Sequence, residues 1–250
     1  MTYCVGLKLK AGLVFMSDTR TNAGVDNISI FKKMNSWSVP GERVITLLSS
    51  GNLATTQSVI SILDERTKAL SERAPSILEA PSMFQVARLI GSTLREVILS
   101  HALAPGQQAD SSFNSTLILG GRIGNGPSRL FLIYPEGNFI EASGDTPFFQ
   151  IGETKYGKPI IVRAYTPEMT FEEAVKLLLV SFDSTIKSNL SVGLPIDVQF
   201  CAEDDRAITH EFRVTEKDSY YHSISSGWSE ALRTAFHALE PFSLDRVSKS

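Results

Sequence analysis

The order of strand-like and helix-like segments is the feature of this sequence that most restricts its fold. Short segments in which apolar side chains alternate or run continuously predict strands. These predicted strands cover residues 3–9, 13–17, 28–37, 44–49, 113–119, 130–134, 139–142, 197–202 and 208–214. Apolar residues at helical spacing predict helices at residues 53–70, at residues 82–102, after Thr170 and around residues 228–239. Glu173 completes a capping box with Thr170 at the start of the third of these helices. Strands therefore lead into two helices, and then strands, a helix, strands and a last helix follow.

Turns of the hairpin type join most of the predicted strands, so we expect largely antiparallel sheets. Two such sheets packed face to face, with helices covering their outer faces, would bury the apolar sides of strands and helices alike. Neither a linker rich in Pro, Gly or Ser nor an internal repeat divides the 250 residues. The prediction is a single α+β domain over residues 1–250.

Composition and charge exclude several classes of protein. Apolar residues make up 42% of the chain, which excludes disorder as its main state, and the net charge of −3 favours neither nucleic acid nor an anionic membrane as a partner. No apolar run approaches the roughly 20 residues that span a bilayer. The N-terminus lacks the basic and apolar regions of an export signal. Because two cysteines cannot form a disulfide framework, we expect a cytoplasmic protein.

Several patterns that often carry chemistry have a simpler interpretation here. The glycine-rich residues 120–126 join two predicted strands, which indicates a hairpin turn rather than a phosphate-binding loop before a helix. The Gly-x-Ser-x-Gly pattern of serine hydrolases does not occur. The histidines, which have no metal-ligand spacing among themselves, are His101, His210, His222 and His237. Cys4 and Cys201 fall inside predicted strands and are expected to be small core residues, and residues 204–205 to form a turn.

The N-terminus offers more specific chemistry. Thr2 is small enough for Met1 to be removed by ordinary processing, which would leave Thr2 as the first residue. A terminal threonine combines a hydroxyl nucleophile with its own α-amino group, whose reference pKa of about 7.7–8.0 suits a base at neutral pH. Because many proteins begin with Met-Thr by chance, this pair of residues alone is weak support for catalysis.

The first predicted hairpin strengthens this interpretation. A turn near residues 10 and 11 makes the numbers of paired residues sum to about 21. Thr2 then lies opposite Thr19, with Asp18 and Arg20 beside it at the open end of the hairpin. The register of two strands therefore brings a carboxylate close to the candidate nucleophile, although Asp18 could equally be an ordinary residue at a strand end.

Four blocks in the first 50 or so residues resemble the proteasome β-type subunits. The blocks are Thr2 with the strand after it, residues 17–24, residues 31–34 and residues 49–51, and their order and spacing match that family. Closer likeness to its bacterial Anbu branch, the ancestral β subunit, lies in residues 22–29, 51–57 and 188–195. The resemblance covers nearly the whole chain. It implies the four-layer αββα sandwich of N-terminal nucleophile hydrolases.

The resemblance also implies roles for individual residues. Thr2 would be the N-terminal nucleophile, and Lys33 would be an ammonium beside it that favours deprotonation of the hydroxyl. Asp18 would pair with Lys33 and fix its position and charge. The backbone N–H of Gly51, at the entrance to a helix, would donate to the tetrahedral oxyanion. Ser191 would support the terminal amine.

Substrate contacts are implied in the same way. The pocket for the residue before the cut would be lined by Thr21, Ser49 and Leu53. Gly24 would permit close backbone approach after the second strand. The mechanism requires no metal and no organic cofactor.

Two positions depart from the pattern of the family. A turn that usually reads like Gly-Ser-Gly, with a serine near the nucleophile, here reads Gly152-Glu153-Thr154. An Asp-x-x-Ser pattern that usually supports the terminal amine here has Ser188 in place of the aspartate, while Ser191 matches. Glu153 is therefore expected to modify either the base network or the charge that the site prefers in its substrate.

Three functions remain compatible with the sequence. The leading hypothesis is a threonine-type peptidase that cleaves peptide bonds through an acyl-enzyme on Thr2. The resemblance implies a ring-like or spiral homo-oligomer, in which the helices at residues 51–70 and 82–102 are candidates for subunit contacts. The second hypothesis is an amidase or transferase that acts on a non-peptide amide, which Glu153 and Ser188 motivate. The third is a proteasome-like scaffold whose nucleophile stays blocked by a retained Met1.

Overall fold

A computed structural model describes residues 2–22, 28–68, 75–102 and 111–243 of the chain. The strands are β1 (Tyr3–Leu9), β2 (Gly12–Asp18), β3 (Arg20–Asn22), β4 (Ile28–Ile30), β5 (Met34–Val39), β6 (Arg43–Gly51), β7 (Ser115–Ile123), β8 (Arg129–Ile133), β9 (Phe139–Glu141), β10 (Phe148–Gly152), β11 (Ile196–Ala202) and β12 (His210–Val214). The helices are α1 (Leu53–Lys68), α2 (Met83–Ala102), α3 (Lys158–Ala164), α4 (Phe171–Ser188) and α5 (Ser219–Ala238).

The chain divides into two compact units, residues 1–216 and residues 217–250. The first unit contains two five-stranded sheets, in the orders β10-β1-β2-β11-β12 and β5-β6-β7-β8-β9, together with the small pair β3-β4. Every strand pair in these sheets is antiparallel. The predicted α+β class with largely antiparallel sheets is therefore confirmed.

Apolar side chains hold the first unit together in layers. Side chains along β7 point alternately to the two faces of the sheet, so Ile118 lies between the two sheets. Leu117 and Leu119 point to the opposite face. The core between the sheets also includes Cys4, Leu13, Phe15, Val44, Leu48, Leu130 and Cys201. The outer face of the second sheet packs against buried residues of α1 and α2, among them Val59, Leu63, Ile90 and Leu94.

The fourth layer is formed by α3 and α4 on the outer face of the first sheet. The Tyr3 and Phe182 rings lie 4.4 Å apart between centroids, and the Phe171 and Phe200 rings stack at 5.2 Å. Helices, two sheets and helices therefore follow one another as the αββα sandwich requires. Within the described residues, no helix is both long and apolar enough to cross a membrane.

The helix α4 begins with the capping box that the sequence predicts. The Thr170 hydroxyl accepts a hydrogen bond from the Glu173 N–H, and the Glu173 carboxylate accepts one from the Thr170 N–H. This capping box satisfies two backbone donors that a helix N-terminus otherwise leaves without partners.

We expect Thr170→Ala to lower the free energy of unfolding by about 1 kcal/mol, because one of these donors loses its acceptor. Urea unfolding of the purified variant measures the change. Thr166→Ala, at an exposed neighbouring position with the same loss of side-chain atoms, is the matched control and should leave stability nearly unchanged. Equal losses in the two variants would contradict the proposed contribution of the cap.

Some elements differ from the predictions. The strand predicted over residues 28–37 is wrong, because β4 ends at Ile30 and β5 begins only at Met34. The Phe31 N–H bonds to the Thr19 carbonyl in the register of the β3–β4 pair, whereas β5 pairs with β6 in a different sheet, so the chain changes sheets between Phe31 and Met34. The short elements β3, β10 and α3 were not predicted, since none of them is long enough to establish a clear period.

The apolar stripe of the last helix was expected to be covered, and this expectation is wrong. Leu232, Phe236 and Leu239 are 50%, 71% and 68% exposed. The helix α5 belongs to the smaller unit, and its stripe keeps helical spacing but is exposed.

Candidate active site

The first hairpin has the register that the sequence predicts. Cys4 pairs with Ser17 and Leu7 with Val14, so the numbers of paired residues sum to 21. Thr2 directly precedes β1 and is 8% exposed. The Tyr3 N–H donates to the Asp18 carboxylate at 2.9 Å, so Asp18 is anchored to the residue that follows the candidate nucleophile.

A buried ion pair lies beside Thr2. The Lys33 Nζ donates to Asp18 Oδ1 at 2.8 Å and to the Arg20 carbonyl at 2.6 Å. Asp18 is fully buried and Lys33 is nearly so. Burial raises the pKa of Asp18 above its ordinary value, while the Lys33 ammonium and the backbone amides of Tyr3 and Gly193 oppose this increase. These contacts fix the position of the ammonium group relative to β1 and β2.

The N–H of Gly51 points into the space next to this pair. The Asn52 N–H bonds to the Asn114 carbonyl, so Gly51 and Ser115 form a non-hydrogen-bonded pair, and the Gly51 N–H is directed away from β7. The Ser49 N–H points to the same side and bonds to the Lys33 carbonyl. Past this bond, β6 and the chain that leads into β5 have separated, and a cavity opens. The Gly51 N–H faces that cavity.

Glycine is required at two places around this N–H. Gly51 has φ +117°, and a Cβ there would lie 2.4 Å from the Asn114 carbonyl oxygen. Gly152 has φ +84°, and a Cβ there would lie 1.9 Å from the Thr2 carbonyl oxygen. Both values lie outside the regions that other residues prefer, and the close approaches are to backbone atoms that cannot rotate away.

These elements enclose a cavity of about 540 Å³. The residues that line it are Thr2, Thr21, Lys32, Lys33, Ser49, Ser50, Gly51, Leu53, Thr56 and Gly152. It thus brings together the candidate nucleophile, its lysine, the candidate oxyanion donor and all three residues expected to contact the acyl side of a substrate. Asp18 does not line the cavity but lies behind Lys33.

Sequence reasoning missed four of the lining residues. Lys32 and Ser50 are neighbours of predicted site residues, and Thr56 follows Leu53 by one turn of α1, so helical spacing could have identified it. From the sequence, Gly152 is recognisable only as part of a turn. Its approach to Thr2 depends on the pairing of β10 with β1, which no local pattern reveals.

The two serines near the end of α4 do not line this cavity. The Ser188 hydroxyl donates to the Ser184 carbonyl of its own helix at 2.8 Å. The Ser191 N–H donates to the Asn189 side-chain oxygen at 2.9 Å. A role for Ser191 in supporting the terminal amine stays a prediction.

Glu153 is linked to the nucleophile through the backbone. Its N–H bonds to the Thr2 carbonyl at 2.6 Å, and its nearly buried carboxylate accepts a hydrogen bond from the Asn189 side-chain amide at 2.9 Å. Asn189, which sequence reasoning did not identify, therefore joins Glu153 to the turn that contains Ser191. A modifying role for Glu153 stays a prediction, as does the role of Gly24, which lies outside the described residues.

The cysteines and the glycine-rich segment lie where the sequence predicts them. Cys4 and Cys201 are free, buried members of the core between the sheets, as expected. The glycine-rich residues 120–126 form the end of β7 and the turn toward β8, which confirms the hairpin. Among the residues that the structure describes, no group of three or more His, Cys, Asp or Glu side chains could hold a metal ion.

The fold has the αββα layers of the proteasome β-type class. The arrangement of Thr2, Asp18 and Lys33 also agrees with that class. No family model matches the sequence. A proteasome β subunit of Haloquadratum walsbyi is 26% identical over 213 residues, which are 84% of this chain and 77% of that protein.

Solved structures give a closer match. An Anbu mutant from Hyphomicrobium sp. strain MC1 is 48% identical with a TM-score of 0.90, over 98% of this chain and 100% of that one. Anbu from Yersinia bercovieri is 46% identical with a TM-score of 0.88, over 97% and 100%. A helical assembly of the Anbu complex from Pseudomonas aeruginosa is 42% identical with a TM-score of 0.89, over 97% and 99%. The chain belongs to the Anbu family of ancestral proteasome β subunits.

Proposed function

We propose that the chain is an N-terminal threonine hydrolase that cleaves peptide bonds through an acyl-enzyme on Thr2. The observation that carries the proposal is the single cavity in which Thr2, Lys33 and the N–H of Gly51 meet. Acyl transfer needs a nucleophile, a base and an oxyanion donor, and a fixed ammonium beside the hydroxyl favours its deprotonated form. The proposal takes Thr2 to be the first residue of the mature chain.

In the first step, the Thr2 hydroxyl oxygen attacks the carbonyl carbon of the substrate. The free α-amino group of Thr2 takes the hydroxyl proton, and the Lys33 ammonium stabilises the alkoxide that develops. The carbonyl oxygen gains negative charge and accepts a hydrogen bond from the Gly51 N–H. Asp18 acts as a positioning residue, because it holds Lys33 and the Tyr3 N–H in place.

Collapse of the tetrahedral intermediate breaks the bond to the leaving nitrogen, which takes the proton that the α-amino group of Thr2 had accepted. The product is an ester between the acyl half of the substrate and the Thr2 oxygen. Water then attacks this ester, and the bond to Thr2 breaks with return of a proton to its oxygen. Thr21, Ser49 and Leu53 line the cavity where the acyl half would lie.

A second function is favoured by one specific observation. Glu153 directly follows Gly152, which packs on Thr2. The nearly buried carboxylate of Glu153 accepts a hydrogen bond from the Asn189 side chain, which holds it in place. A carboxylate linked to Thr2 in this way would favour interception of the acyl-enzyme by an amine instead of water. The same nucleophile would then act as an amidase or transferase on a non-peptide amide.

Self-association is part of the proposal. The Pseudomonas aeruginosa relative forms a helical assembly, and we extend this property to the present chain as a homo-oligomer. The exposed apolar stripe of α5 supports the extension, since Phe236 and Leu239 would be covered by a neighbouring copy. Sedimentation velocity of the purified protein measures the subunit number directly.

A peptide library tests the proposed reaction. We expect the wild-type protein to cut library peptides and Thr2→Ala to lose all cutting, because alanine has no hydroxyl to attack the carbonyl. Thr2→Ser, which keeps both the hydroxyl and the amine, is the matched control and should retain measurable activity. Cutting that persists in Thr2→Ala would contradict the proposal, and failure of the wild type on peptides but not on simple amides would favour the second function.

A further inference from the structure

A second cavity of about 420 Å³ adjoins the catalytic one. Ser50, Gly51 and Gly152 line both cavities and form the boundary between them. A Cβ on Gly152 would lie 1.9 Å from the Thr2 carbonyl oxygen and 3.1 Å from the Ser50 hydroxyl oxygen, so the boundary lies against the backbone of the nucleophile. A substrate bound across Thr2 can therefore reach both cavities.

The direction of the Gly51 N–H assigns the two halves of a substrate to the two cavities. This N–H points away from β7 and marks where the scissile carbonyl oxygen would lie. The second cavity lies on the other side of Gly51, where residues 114–116 at the start of β7 form its wall. With the acyl half held between Thr21 and Ser49, the leaving half must extend past Gly152 into the second cavity.

The second cavity differs from the first in charge. The catalytic cavity is lined by Lys32 and Lys33, whereas every described residue that lines the second cavity is uncharged. Residues with hydroxyl or amide side chains along the second cavity include Asn114, Thr116, Tyr134 and Thr154. A charged group that entered would lose water without gaining a partner of opposite charge.

We infer that this second cavity is the leaving-group subsite and that it accepts neutral groups able to form hydrogen bonds. The inference rests on the proposed function, since it needs an acyl-enzyme on Thr2. By microscopic reversibility, the subsite that releases the leaving amine also binds an incoming amine. The incoming nitrogen then bonds to the acyl carbon, the bond from that carbon to the Thr2 oxygen breaks, and a proton passes from nitrogen to that oxygen.

Interception of the acyl-enzyme by amines tests the inference. An activated acyl ester loads Thr2, and the amides of serine, lysine and glutamate then compete with water for the acyl group. We expect the wild type to transfer to serine amide in preference to both charged amides. Thr116, which pairs with Ser50 in the ladder of β6 and β7, is the position to alter, because it lines only the second cavity.

Charge variants make the expected result specific. Thr116→Glu should raise transfer to lysine amide relative to glutamate amide by about fivefold, and Thr116→Lys should shift the ratio the other way by a similar factor. Asn138→Glu and Asn138→Lys carry the same charges at an exposed turn that lines neither cavity, and these variants should leave the ratio unchanged. The rate of loading by the ester should be similar in the wild type and the two Asn138 variants.

The outcomes separate the inference from the function on which it rests. Loading of Thr2 with an amine ratio that does not respond to Thr116 would overturn the inference and leave the proposed function intact. A change in the preferred acyl group in place of the preferred amine would also overturn it, because the second cavity would then bind the acyl half. Absence of loading in the wild type would refute the proposed function, and the inference with it.

Discussion

Replacing Lys33 by methionine is expected to lower the rate of acyl-enzyme formation by about 10²–10⁴-fold, because the ammonium that assists proton transfer is lost. The same change leaves the Asp18 carboxylate buried without its partner at 2.8 Å. Removal of one partner of a buried ion pair typically costs about 3–5 kcal/mol of unfolding free energy. Urea unfolding and the rate of acyl-ester loading measure the two effects.

The double variant Asp18→Asn/Lys33→Met separates catalysis from stability. Asparagine keeps an oxygen that can accept the Tyr3 N–H but carries no charge, so most of the lost stability should return. Loading should stay as slow as in the single variant. Recovery of loading in the double variant, or normal loading in Lys33→Met, would contradict the role assigned to Lys33.

The stability of Lys33→Met should also depend on pH with a definite sign. Burial already raises the pKa of Asp18, and loss of the ammonium removes the main opposing charge. The folded variant therefore binds a proton at a pH where the unfolded chain has lost it. Its stability should fall as pH rises from the unfolded value of about 4 through the raised folded value. The deficit relative to wild type should be smaller near pH 5 than near pH 8.

Gly51→Ala is the second substitution with a large expected effect. A Cβ at this position would lie 2.4 Å from the Asn114 carbonyl oxygen and 2.7 Å from Ser115 Cα, with φ at +117°. The end of β6 must shift to relieve these contacts, and the N–H that faces the cavity shifts with it. We expect a loss of at least about 1–3 kcal/mol of stability from the backbone strain alone. Displacement of the oxyanion donor should slow acylation by up to about 10²–10³-fold, the cost of losing such a donor.

Gly41→Ala is the matched control for this change. Gly41 also has a positive φ, +70°, but nothing lies within 4 Å of the position of its Cβ. The control should show only the cost of the left-handed backbone, about 1–2 kcal/mol, with unchanged acylation. If Gly51→Ala behaved like Gly41→Ala in both measurements, neither the close approach nor the oxyanion role would be supported.

Local patterns predicted the parts of the site that depend on short stretches of chain. The turn near residues 10 and 11 determines the pairing of β1 with β2, which in turn determines that Asp18 lies next to Thr2 and Tyr3. The capping box at Thr170 likewise depends on residues three apart. These predictions are correct because the interactions involved are local.

Other parts of the site depend on contacts between distant segments. Lys33 and Gly51 were identified from family resemblance and not from periodicity. The bond between Asn189 and Glu153 joins residues 36 positions apart, and Gly152 reaches Thr2 only through the pairing of β10 with β1. No short-range rule predicts such approaches, because tertiary packing decides them. The prediction of one continuous strand over residues 28–37 failed for the same reason.

Intact mass spectrometry, before and after reaction with a peptide epoxyketone, tests the central claim most directly. This reagent forms a stable ring only with a nucleophile that has both a free hydroxyl and a free α-amine. We expect a mass without Met1, one adduct per chain, and no adduct in Thr2→Ala. A chain that retains Met1, or a free Thr2 that forms no adduct, would contradict the claim that Thr2 is a competent nucleophile.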